Sequence, residues 1–152
     1  MKKIFILLLT LTVVAVVGCV SLKQQYHDTA EDVIELINKG ETEKLSEMTQ
    51  TPFILDGEII ILKNDMASFW QNIVKADFKI EGPTVIEASP ANEETYKRFA
   101  GTMEVETYFK KYLSDKGHVI IIETDRFKLL LLMDKTKKGK IRIIGFKGPD
   151  AI

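Results

Sequence analysis

The stretch HVIIIETDRFKLLLLMDKTKKGKIRIIGFK, residues 118–147, decides the fold. It holds three apolar runs, His118 to Thr124, Phe127 to Asp134 and Lys140 to Lys147. The runs are rich in Ile, Leu, Val and Phe, side chains that suit a pleated surface. Short polar connections at Asp125-Arg126 and Thr136-Lys137-Lys138-Gly139 make them an antiparallel meander. Alternation assigns Val119, Ile121, Phe127, Leu129, Leu131, Met133, Ile141 and Ile143 to one face. Ile120, Ile122, Leu130, Leu132, Ile144 and Phe146 fall on the other. Both faces are apolar, so the sheet is either covered twice or offers one face to a ligand or partner; covered core is the default.

Upstream, Pro52 to Leu62 reads as two strands about Asp56-Gly57, the pair that supplies the positive φ angles of a tight hairpin. Ala30, Val33, Ile34 and Ile37 fall at i, i+3, i+4 and i+7, the stripe of an amphipathic helix. Asp28 with Glu31, or Thr29 with Asp32, is expected to cap its start, and Gly40 its end. A short helix follows from Thr42 to Met48. A third, capped by Asn64 or Asp65, carries Met66, Phe69, Trp70 and Ile73 inward. Gly82-Pro83 breaks the chain before a strand at Thr84 to Ala88, with a loop over Ser89 to Asn92. Within 93–113, Val105, Tyr108, Phe109 and Tyr112 keep a helical period.

At the N-terminus, Lys2 and Lys3 precede an apolar run from Ile4 to Val17, the layout of a secretory signal. As a helix that run reaches about 21 Å, short of the roughly 30 Å hydrocarbon core of a bilayer. It ends in Val16-Val17-Gly18-Cys19, which resembles the bacterial lipobox. The resemblance implies that residues 1–18 are a signal peptide and that Cys19, the single cysteine, becomes the acylated first residue. Its thiol would take a diacylglyceryl group and its amino group a fatty acyl chain such as palmitate. Two or more chains hold a protein stably on a bilayer. The expected order is a lipidated tether over 19–25 and one domain over 26–150. Localisation is then the cell envelope: the outer membrane in a diderm, where Val20 after the cysteine permits transfer, or the outer face of the cell membrane in a monoderm.

Loss of residues 1–18 takes two lysines and no acid, turning a net charge of −1 into −3. That balance argues against nucleic-acid binding. Charge is uneven: seven acids and two lysines between Asp28 and Glu47, eight basic residues and one acid between Arg126 and Lys147. Both runs read as solvated faces.

Two leading helices, a hairpin, a third helix and long closing strands resemble the NTF2-like (cystatin-like) α+β fold, with N-terminal helices packed on a curved, mainly antiparallel sheet. The likeness is strongest from Asn38-Lys39-Gly40-Glu41 through Pro52 to Gly57 and the Phe69-Trp70 helix. The helical segment at 93–113 departs from it. The resemblance implies a cone whose pocket, in isomerase- and dehydratase-like relatives, holds a carboxylate or histidine base, often with a tyrosine for an oxyanion.

No catalytic position transfers residue by residue. Asp56 lies at the hairpin tip, where turn geometry explains it, and Glu123 and His118 are the other candidate bases. Met66, Phe69 and Trp70 are candidates to line an apolar cavity, although helical spacing also makes them core. His27 and His118 are too few for a histidine-rich metal site, and no motif for a cofactor or nucleotide appears. The expected role is a non-enzymatic module that binds a small apolar ligand or an envelope protein. The alternative is an isomerase- or dehydratase-like enzyme.

Overall fold

Ser21 opens the first helix, its hydroxyl accepting a hydrogen bond from the Gln24 amide at 3.1 Å. The computed structural model describes residues 21–83 and 85–151, so the signal peptide expected over 1–18 and the acylation expected at Cys19 lie outside the described residues. Helix α1 spans Leu22–Lys39, starting about two turns before the caps expected at Asp28 or Thr29, and it takes in residues 22–25 of the expected tether. The reason is physical: Leu22 and Tyr26 extend the stripe of Ala30, Val33, Ile34 and Ile37. Neither expected cap serves, because Asp28 accepts from the Gln24 side chain and Thr29 donates to the Gln25 carbonyl. Gly40 ends the helix at φ 72°, its amide donating to the Ile37 carbonyl.

Helix α2 spans Thr42–Met48, followed by β1 (Thr49–Leu55) and β2 (Glu58–Ile60). Asp56 and Gly57 join the strands with φ of 49° and 103°, as the tight turn demands. Helix α3 spans Lys63–Lys75; Leu62 is its N-cap without a side-chain bond, and Asn64 and Asp65 lie inside the first turn. Strand β3 (Val85–Pro90) takes in Ser89 and Pro90, which pair with Val119 and His118. Pro90 is tolerated because β3 is an edge strand. A 3-10 turn at Thr95–Arg98 leads to α4 (Met103–Tyr112), capped by Thr102. The meander follows as β4 (His118–Glu123), β5 (Phe127–Lys135) and β6 (Ile141–Ala151).

The fold class is α+β: helices on a six-stranded mixed sheet ordered β2-β1-β6-β5-β4-β3. Only β1 and β6 run parallel; every other pair is antiparallel. Helices α1 to α3 cover one face, over a core that includes Tyr26, Ile37, Phe53, Trp70, Ile120, Leu131 and Phe146. The 95–113 segment covers the other, burying Ile54, Phe99, Tyr108, Phe109, Val119, Leu132 and Ile144. That explains a meander apolar on both sides: the sheet is covered twice.

Cross-strand register regroups the two faces. Ile120 pairs with Leu131 and Val119 with Leu132, so the β4 residues exchange the faces that alternation alone assigned them. On β6 the register slips between Ile143 and Gly145, and Ile143 and Phe146 end on the same face. A bulge of this kind inverts the alternation halfway along a strand. Gly145 sits at that point because a Cβ would lie 3.0 Å from Leu132 Cβ.

Candidate functional site

Helix α4 is fixed on the second face by Tyr108. Its buried hydroxyl lies 2.7 Å from the Pro52 carbonyl and 3.1 Å from that of Ile144, sharing one proton between them. Beside this anchor the helix and edge strand β2 leave a groove of about 600 Å³. Pro52, Ile59, Ile61, Met103, Tyr108 and Tyr112 line it, with Glu104 and Lys111 at the rim. Four large hydrophobic side chains stay exposed among the described residues: Ile61 (69 %), Leu62 (63 %), Met103 (82 %) and Tyr112 (44 %). Three line this groove and Leu62 adjoins it. Among the described residues neither Glu104 nor Lys111 enters an ion pair, and the Lys111 ammonium lies 5.1 Å from the Tyr112 ring centroid. The arrangement is an open apolar channel with one charge of each sign at its lip, suited to holding an apolar body by burial.

The candidate bases do not converge. His118 and Glu123 stand at opposite ends of β4, about 17 Å apart at 3.3–3.4 Å per residue. Asp56 follows β1, three strand spacings from β4, or roughly 14 Å across the sheet. Each also has a structural partner. Asp56 Oδ1 accepts from the Gly148 amide at 2.8 Å, locking the hairpin tip to β6. Glu123 lies 3.5 Å from the Lys128 ammonium. His118 is buried, its Nδ1 2.9 Å from the Lys116 carbonyl. A carbonyl only accepts, so that nitrogen carries a hydrogen.

Nor is a tyrosine hydroxyl left for an oxyanion in the interior. Burial, helped by the Asp134 charge, pushes both Tyr26 and Tyr108 well above the ordinary tyrosine range and keeps them neutral. Both hydroxyls are directed at backbone carbonyls, Tyr26 at Lys116 and Tyr108 at Pro52 and Ile144. Met66, Phe69 and Trp70 sit in the first core. Trp70 is fully buried and donates Nε1–H to Thr49 Oγ1 at 2.9 Å, and Phe69 packs against Phe53, Trp70 and Phe146. On the flank of α1, His27, Asp28 and Glu31 bring one ligand atom each within 4.8 Å, but Asp28 and Glu31 are exposed and Asp28 is engaged by Gln24.

The groove residues were not among the sequence candidates. The signal was present in Ile59 to Leu62, an aliphatic run that outlasts its three-residue strand, and in Met103, which stands off the Val105-Tyr108-Phe109 stripe. No protein-family model, curated protein or solved structure matches the chain. Among the described residues no helix is long and apolar enough to cross a membrane.

Proposed function

We propose that the chain is an envelope lipoprotein, acylated at Cys19, whose domain is an NTF2-like, non-enzymatic binding module. The α4–β2 groove receives a small apolar ligand or an apolar segment of an envelope partner. The observation that carries this reading is the gathering of Ile61, Leu62, Met103 and Tyr112, the exposed large hydrophobics of the described residues, at one groove. Soluble surfaces scatter such side chains singly; a cluster in a concave site marks binding. The order of elements supports the NTF2-like likeness, with two leading helices, a hairpin, a third helix and a meander. Helix α4 is the departure from that likeness, and the groove beside it opens on the face of the sheet opposite the core that holds Trp70. Separation of Asp56, Glu123 and His118 supports binding over catalysis, since a base acts only within hydrogen-bond reach of its substrate.

The test is titration with N-phenyl-1-naphthylamine, an apolar fluorescent probe. Met103→Glu and Ile61→Asp each weaken its capture by about tenfold, the value of one lost apolar contact surface. Unchanged capture in both variants would contradict the groove.

A further inference from the structure

We propose that the end of the domain next to Cys19 is a docking face for anionic phospholipid, so that the β5–β6 hairpin lies on the bilayer surface. The inference rests on the anchored reading above. It starts from covalent geometry: only Val20 and Ser21 separate Cys19 from α1, at most about 11 Å of chain in any conformation. A lipidated Cys19 therefore holds the first turn of α1 close to the headgroups, within little more than the Debye length of about 8 Å at physiological salt.

Three segments pack around that turn. The Tyr26 hydroxyl donates to the Lys116 carbonyl at 2.6 Å. The Lys135 ammonium donates to Gln25 Oε1 at 2.8 Å. Gly139 and Lys140, at the hairpin tip, share a cleft with Gln25 and Asp28. Lys23, Lys116, Lys135, Lys137, Lys138 and Lys140 thus meet at the anchored end. Acids are fewer at its tip: Asp115 is exposed, while Asp134 is held by the amide and hydroxyl of Ser114. Asp28, Asp32 and Glu47 line the same cleft as Lys140, together with Arg142.

Elsewhere Lys39 pairs with Glu35, Lys44 with Glu41, Lys97 with Glu94 and Lys110 with Glu106, while Lys63, Lys75 and Lys111 stand singly on other parts of the surface, outside any ion pair among the described residues. Among the described residues Lys23, Lys116, Lys137, Lys138 and Lys140 enter no ion pair. A row of unpaired like charges repels itself in water, and an anionic surface relieves that repulsion. Each lysine near such a surface strengthens attachment roughly fivefold.

The test uses the full chain, purified in detergent and reconstituted into vesicles of phosphatidylcholine alone or with added phosphatidylglycerol. A membrane-impermeant amine reagent acetylates the lysines, and mass spectrometry reads the rate at each. In the anionic vesicles Lys116, Lys137, Lys138 and Lys140 slow by roughly fivefold or more and recover in high salt. Lys75, exposed at the far end of α3 beside the end of α1, keeps its rate. Equal rates on both vesicles, or equal slowing at Lys75, overturn the proposal. A triple variant, Lys137→Glu with Lys138→Glu and Lys140→Glu, releases Lys116 as well; persistent protection of Lys116 there also overturns it. Intact mass in the same samples separates the two readings. Slowing without an acyl group on Cys19 removes the anchor and leaves the docking face, and an acyl group without slowing does the reverse.

Discussion

The rings of Tyr26 and His118 stack with centroids 4.2 Å apart and planes 17° from parallel, and both residues direct a hydrogen bond at the Lys116 carbonyl. The pair clamps the start of α1 to the start of β4. The histidine that composition suggests as a base is thus a packing element. His118→Ala is expected to lower stability by about 1–3 kcal/mol through the lost stack and the space left behind. Asp56→Ala is expected to lower it by about 1 kcal/mol, the worth of its bond to Gly148. Neither of these variants, nor Glu123→Ala, reduces capture of the naphthylamine probe, measured at a temperature where each is folded. Loss of capture in one folded variant would favour the enzymatic alternative.

Alkaline pH is expected to unfold the domain through its tyrosines. Tyr26 and Tyr108 are raised chiefly by burial, so the native state holds their protons more tightly than the unfolded chain. The stabilisation is complete below the unfolded value of about 10 and is lost as pH rises from there toward the raised folded values. Tyr26→Phe, which keeps the stack and removes the ionisable proton, costs about 1 kcal/mol at neutral pH yet flattens the alkaline loss. Urea midpoints across the alkaline range check the sign: a midpoint independent of pH above 10 in the native sequence contradicts it.

Trp70→Ala is expected to cost about 3–5 kcal/mol, because the ring is fully buried and its removal leaves a cavity. Urea unfolding measures the difference. A loss under about 1 kcal/mol would contradict the packing of α3 on the sheet.

Much of the scaffold was legible because periodicity and turn chemistry act locally. Gly40, the Asp56-Gly57 turn and the Thr42–Met48 helix stand where residue type places them. Relationships set across strands were not legible. Nothing in β4 alone says that Ile120 faces Leu131, and the bulge at Ile143 to Gly145 inverts an alternation that reads as regular. The start of α1 was missed because its first turn is polar, Lys23-Gln24-Gln25, and only the packing of Leu22 and Tyr26 reveals it as helix. The groove was hidden for a related reason. Tyr112 keeps the helical period of Val105, Tyr108 and Phe109, yet the helix ends there and the residue is left 44 % exposed.

Anchoring through Cys19 is the claim on which location, orientation and access to an apolar ligand depend, and it is tested by labelling cells with an alkyne-bearing palmitate analogue. Serine lacks the acceptor thiol, so the native chain is labelled and Cys19→Ser is not, at equal abundance by immunoblot. Equal labelling of native and Cys19→Ser chains, or none of either while a known lipoprotein in the same cells is labelled, would contradict it.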